Sequence, residues 1–165
     1  AAEQGYLDAQ YNLAIMYDNG SGVSKDHSKA VEWYRKAAEQ GDNQAQYTLA
    51  TRYMHGVGIQ KDFKQAVQWL RRAADQENIK AQLDLGVAYH NGFGVRQDEK
   101  QALYWYRKAA EQGSSEAQYN LGVMYHYGQG VPQNQSVAKE WFSKACHNGS
   151  QQGCDAYQKL DQTGY

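Results

Sequence analysis

Three stretches decide the fold. The first is Lys100-Gln101-Ala102-Leu103-Tyr104-Trp105-Tyr106-Arg107-Lys108-Ala109-Ala110-Glu111-Gln112-Gly113. The second is Ala117-Gln118-Tyr119-Asn120-Leu121-Gly122-Val123-Met124-Tyr125, and Gly128 and Gly130 complete the set. Moved by 36 residues, these stretches fall on close copies of themselves. Trp33, Trp69, Trp105 and Trp141 keep that step without an insertion, as do Gly20, Gly56, Gly92 and Gly128. Leu13, Leu49, Leu85 and Leu121 keep it too, and so do Tyr17, Tyr53, Tyr89 and Tyr125. A fixed period of this length is the mark of a repeat architecture. The units run over 6–41, 42–77, 78–113 and 114–149.

Each unit reads as two helices. Ala9, Leu13 and Tyr17 fall at i, i+4 and i+8, one apolar stripe of a first helix A near 7–18, repeated near 43–54, 79–90 and 115–126. Gly20 and Gly22 then supply a tight turn that admits positive φ. Asp26, Asp62, Asp98 and Asn134 stand where an acceptor side chain caps helix B, near 27–40, 63–76, 99–112 and 135–148, with Gln65 and Gln101 placed to complete capping boxes. Gly41 and Gly113 are placed to end it, with Glu77 the exception. Neither helix buries its stripe alone, so the hairpins stack, and Ala14, Ala50, Gly86 and Gly122 allow a close approach between helices. The expected fold is an all-α solenoid of antiparallel helical hairpins forming one domain over 1–165.

These motifs resemble the Sel-1-like repeat, a relative of the tetratricopeptide repeat, over about 1–160. The resemblance implies a right-handed superhelix with the A helices lining a concave groove, and a non-enzymatic role in holding a peptide or protein partner. The groove registers carry Tyr11, Tyr47, Thr51, Arg52, His55, His90, Asn91, Tyr119, Asn120, His126 and Tyr127, a mixture suited to polar, peptide-reading contacts or to simple solvation. Lys29, Glu32, Arg35, Lys36, Lys100, Arg107 and Lys108 read as a solvated helix B surface with i, i+3 and i+4 pairs.

Both ends depart from the pattern. Ala1-Ala2-Glu3-Gln4-Gly5 copies the end of a helix B, as in 37–41, which implies a missing upstream repeat, an uncovered apolar flank on the first helix A and a possible site of self-association. Residues 150–165 start a fifth helix A without reaching the glycine turn and read as a cap. Cys146 takes the register of Ala38, Ala74 and Ala110, and Cys154 that of Gln10, Gln46, Gln82 and Gln118. Their spacing allows a disulfide worth roughly 2 to 3 kcal/mol, and it resembles the cysteine-rich, exported bacterial members of the family. A periplasmic or secreted protein is expected over a cytoplasmic one with two buried thiols.

Seventeen Lys and Arg against eighteen Asp and Glu leave a net charge of −1, which gives no field for nucleic acid. No apolar run approaches the ~20 residues that cross a bilayer. Ser136-Val137-Ala138-Lys139 fits S-x-x-K, the nucleophile motif of enzymes acting on β-lactam or peptidoglycan, but neither S-D-N nor K-T-G is present. A hydrolase is therefore the alternative class. The five histidines show no metal-ligand spacing and no cofactor motif occurs, so neither a metal nor a cofactor is expected.

Overall fold

The structure, a computed structural model, describes residues 2–164, with side chains from Tyr6 onward. Among the described residues every regular element is helical: α1 Ala2–Asn19, α2 His27–Glu39, α3 Asn43–His55, α4 Phe63–Asp75, α5 Ile79–Asn91, α6 Glu99–Glu111, α7 Ser115–Tyr127, α8 Gln135–His147 and α9 Gln151–Gln162. The chain divides into two compact units, one ending at Ala81 and the other starting at Gln82. In each, odd-numbered helices are the A helices and even-numbered ones the B helices.

A single device closes every hairpin. The residue capping helix B takes hydrogen bonds from the first turn with its side chain, as Asp62 does from the Gln65 N–H at 3.1 Å. Its own N–H reaches back to the end of helix A: Asp26 to the Tyr17 carbonyl at 2.8 Å, Asp62 to Tyr53 at 2.9 Å, Asp98 to Tyr89 at 3.0 Å and Asn134 to Tyr125 at 2.9 Å. This corrects the expected capping boxes at Gln65 and Gln101, because the N–H that their side chains would accept is already spent on the tyrosine carbonyl. Glu77 adopts the positive φ, 66°, that glycine supplies at Gly41, Gly113 and Gly149.

Two turn glycines also answer to a neighbouring hairpin. A Cβ on Gly130, whose φ is 66°, would lie 2.7 Å from the Glu99 carbonyl at the start of α6, and Gly58 stands in the same relation to His27 at the start of α2. The glycine loop thus seats on the first turn of the preceding helix B, closer than any side chain permits.

Packing inside the hairpins follows the repeat. Ala14, Ala30 and Tyr34 form one core cluster, with Tyr11, Ile15, Tyr17 and Trp33 against it. In the second unit Gly122 lies under Phe142, where a Cβ would come within 2.6 Å of the ring. Ala109, Ala110, Ala117 and Leu121 form a second cluster, and Ala138, Phe142 and Leu160 a third. Leu49, Leu85 and Leu121 are fully buried. On α1, by contrast, Ala9 is exposed and Leu13 half-buried, and Tyr6 and Met16 are exposed.

A line of glutamines stitches the repeats. Buried Gln46 donates to the Ala38 carbonyl at 3.1 Å and accepts from Gln76 Nε2 at 2.8 Å. Gln118 repeats this in the second unit, donating to the Ala110 carbonyl at 3.0 Å and accepting from Asn148 at 2.9 Å. Cys154 and Cys146 stand at the positions of Gln118 and Ala110 one period on, and they form a disulfide with Cα atoms 4.5 Å apart. The covalent bond therefore replaces a recurring side-chain hydrogen bond where the cap joins the last repeat.

Two expectations need correction. The helix end expected at Gly5 is absent: α1 runs through it. In a repeat the Gly41 N–H bonds back to the Ala38 carbonyl at 3.1 Å as helix B ends, whereas α1 continues unbroken through Gly5. Several helix B cations sit on aromatic groups, while Lys139 of α8 pairs with Asp161. Lys36 lies 4.1 Å from the Trp33 ring centroid, Arg72 4.5 Å from Trp69 and Lys144 4.3 Å from Trp141. Arg35 and Arg107 donate to the hydroxyls of Tyr53 and Tyr125 at 2.8 and 2.6 Å. An aromatic face at i−3 is nearer than a carboxylate and attracts the cation by its quadrupole.

Candidate functional site

In the first unit the most connected polar group is Asp18, at the end of α1 and only 9% exposed. Its Oδ1 faces His27 Nδ1 at 2.9 Å, and its Oδ2 accepts from the Tyr34 hydroxyl at 2.9 Å and from Arg52 Nη2 of α3. The Arg52 guanidinium also lies 5.5 Å from the Tyr34 ring centroid. Burial first, and then the hydrogen bond to Asp18, push the Tyr34 phenol well above its ordinary range. One carboxylate thus ties together both helices of the first hairpin and the A helix of the second.

Arg52, expected to read a partner, is therefore already committed within the chain. Of the other groove candidates in this unit, Tyr11 stacks edge-on against Tyr34 with centroids 5.4 Å apart, and Tyr47 is half-buried. Thr51 donates to the Thr48 carbonyl at 2.7 Å, and His55 is exposed at the end of α3.

The second unit gathers more of the candidates. His90 Nδ1 faces Glu99 Oε2 at 2.9 Å, and Asn91 donates to the Val87 carbonyl at 3.0 Å. Asn120 is half-buried on α7. His126 pairs through Nδ1 with Gln135 Oε1, while Gln135 Nε2 donates to the His126 carbonyl at 3.3 Å. Tyr127 is 68% exposed and meets the His126 ring edge-on at 4.6 Å. Burial, then the Glu99 carboxylate, push the Tyr106 phenol up.

Tyr119, His126 and Tyr127 border a cavity of about 350 Å³ between α7 and α9. Buried Phe142 and Leu160 form its back, with Tyr119 tilted against Phe142 at 5.7 Å between centroids. Gln152, Asp155 and Lys159 of α9 form the far rim. Reading the A helices of the four repeats finds the near wall. It misses the α9 wall, whose signal is the departure of Asp155 and Lys159 from the registers of Tyr119 and Val123.

Sequence reasoning also misses Asp18. Yet the contacts at a separation of nine in three of the hairpins change as pairs. Asp18 meets His27, His90 meets Glu99 and His126 meets Gln135, while the same two registers in the second repeat hold Met54 and Phe63.

The S-x-x-K residues lie on the first turn of α8. Ser136 is exposed, and the Lys139 ammonium is 2.7 Å from Asp161 and 5.6 Å from the Tyr157 ring centroid. Among the described residues no three of His, Cys, Asp or Glu come together to hold a metal ion, and no helix is long and apolar enough to cross a membrane.

The Sel1 repeat family model matches residues 7–42, 43–78, 79–114 and 115–150, one residue later than the divisions read from the tryptophan and glycine spacing. A protective antigen of uropathogenic Escherichia coli strains, displaying an SLR fold, is 40% identical with a TM-score of 0.93 over 99% of this chain, which spans only 35% of the antigen structure. A Sel1 repeat protein of Oxalobacter formigenes is 40% identical with a TM-score of 0.83 over 90% of this chain and 61% of its own. Cysteine rich protein B of Helicobacter pylori is 30% identical with a TM-score of 0.62 over 82% of this chain and 98% of its own. No curated protein matches. Sel1 repeat proteins are in general protein-interaction scaffolds and mostly non-enzymatic. Four contiguous repeats, nine helices among the described residues and these structural relatives place the chain in one class: it belongs to the Sel1 repeat family, an all-α solenoid of helical hairpins.

Proposed function

We propose that this chain is a non-enzymatic scaffold, exported by a bacterium, that holds a peptide or protein partner on the face built from its A helices. The observation that carries the reading is the cavity beside α7, where Tyr119, His126 and Tyr127 surround an apolar back wall and Tyr127 stands 68% exposed. An exposed aromatic next to a concave apolar patch is the arrangement from which interface anchors are made. The helix B surface offers less, since Arg35, Lys36, Arg107 and Lys108 are engaged with tyrosines and tryptophans. The Cys146–Cys154 disulfide supports an oxidising compartment.

The test is recovery of partners from an envelope or culture extract of the source organism, using the chain, Tyr127→Ala and Arg107→Glu side by side. Tyr127→Ala should lower recovery about tenfold or more, in keeping with a hot-spot cost of roughly 2 kcal/mol, with the melting temperature unchanged. Loss of partners with Arg107→Glu and not with Tyr127→Ala would put binding on the helix B side and refute the proposal.

A further inference from the structure

Resting on the reading that the A-helix face takes a peptide, we infer that the cavity between α7 and α9 accepts a peptide segment in which one large apolar side chain is followed closely by a single carboxylate. The back wall of Phe142, Leu160 and Tyr119 is apolar, and about 350 Å³ is the low end of ligand-pocket size, room for one aromatic or branched side chain with its backbone. The charges on the rim are not equivalent. Asp155 Oδ1 already accepts from Gln151 Nε2 at 2.9 Å. Lys159, one turn further along α9, has no hydrogen-bond or ion-pair partner among the described residues. Lys159 is therefore the rim cation left to pair with a ligand carboxylate, while Asp155, still anionic, disfavours a second acid.

His126 supplies the third element of recognition. Gln135 donates through Nε2 to the His126 carbonyl, so its Oε1 is the atom facing the ring, and Nδ1 must be the donor. A neutral His126 thus keeps Nε2 as an acceptor, matched by a peptide N–H.

Comparison among the repeats singles out the same positions. The register of Ile15, Thr51, Val87 and Val123 becomes Lys159, and that of Tyr11, Tyr47, Leu83 and Tyr119 becomes Asp155. The register of Asn19, His55 and Asn91 becomes Tyr127. A short aspartate in place of a ring leaves the space open, and the new charge and the new aromatic both border it.

The experiment is an NMR titration of the ¹⁵N-labelled chain with blocked hexapeptides centred on Phe-Glu, Phe-Gln, Phe-Lys or Ala-Glu. The Phe-Glu peptide should shift amides of α7 and α9 and bind about two- to fivefold more tightly than Phe-Lys, the scale of one exposed charge pair. Lys159→Glu, an exposed change that leaves the core untouched, should reverse that order, and Ala-Glu should bind least. A preference that Lys159→Glu leaves unaltered overturns the inference, as does the absence of shifts in α7 and α9. Shifts confined to other A helices overturn it while leaving the A-helix reading standing, whereas shifts confined to B helices overturn both.

Discussion

If the Cys146–Cys154 bridge replaces the glutamine bond of the other repeats, returning that bond should recover part of what the bridge supplies. The cysteines are eight residues apart, and closing so short a loop removes about 2.5 kcal/mol of unfolded-state entropy in the chain model. The bond it replaces, Gln46 to Ala38 at 3.1 Å or Gln118 to Ala110 at 3.0 Å, is a neutral side-chain hydrogen bond worth about 1 kcal/mol. The variant Cys146→Ala/Cys154→Ala should therefore loosen α9 by about 2.5 kcal/mol, and Cys146→Ala/Cys154→Gln by about 1.5 kcal/mol. Native-state hydrogen exchange reads this directly, as an increase in α9 amide opening of about 60-fold in the first variant and about 12-fold in the second, since 1.4 kcal/mol is a factor of ten. Amides of α1 to α4 should keep their protection, because solenoid stability is close to a sum over neighbours. Equal exchange in the two variants would refute the equivalence of bridge and glutamine. Equal loss across α1 to α4 would refute the local role of the cap.

Asp18→Ala should cost about 3 to 5 kcal/mol in urea unfolding, because it strands the Arg52 guanidinium and the buried Tyr34 hydroxyl together; a loss below about 1 kcal/mol would show the cluster to be surface decoration. Stability should also fall as the pH rises past the ordinary phenol value of 10.0 toward the raised value of folded Tyr34, since the unfolded chain ionises first. Urea midpoints from pH 8 to 11 should therefore fall less steeply in Tyr34→Phe. In a double-mutant cycle, His90→Met and Glu99→Phe should each destabilise alone and largely compensate together, since the double variant carries the apolar residues that the second repeat has at these registers, Met54 and Phe63; the coupling expected is about 0.5 kcal/mol or more. Leu121→Ala, at a fully buried repeat position, should cost about 2 to 5 kcal/mol.

Most of the fold is legible because each requirement recurs four times in one chain. A leucine kept at 13, 49, 85 and 121 is a position the architecture fixes, and Asp26, Asp62, Asp98 and Asn134 share only the capacity to accept a hydrogen bond at a helix start. The bridge was legible for the same reason, since Cys146 and Cys154 fall on the registers that face each other at Ala38 and Gln46 and at Ala110 and Gln118. What was not legible is competition for a single hydrogen-bonding group. Gln65 and Gln101 stand at the capping-box position, yet the N–H they would accept goes to Tyr53 or Tyr89. Sequence spacing counts donors and acceptors along one helix and does not see the carbonyl that a neighbouring helix presents.

The candidate site was harder to read because its residues differ between repeats, and variation has two causes. Some positions change since nothing constrains them, and others since their partner changes too. Read one register at a time, Asp18, Met54, His90 and His126 look like free surface. Read with the register nine residues on, they become an acid with a base, two apolar groups, a base with an acid, and a base with an amide. That pairing is conserved chemistry carried by changing residues, and it withdraws Asp18, His90 and one nitrogen of His126 from the set available to a partner. Among the positions left over, Tyr127, Lys159 and His126 border a cavity of the second unit that α9 walls off. Subtracting the variation that the fold itself explains is thus what separates a binding surface from a merely variable one.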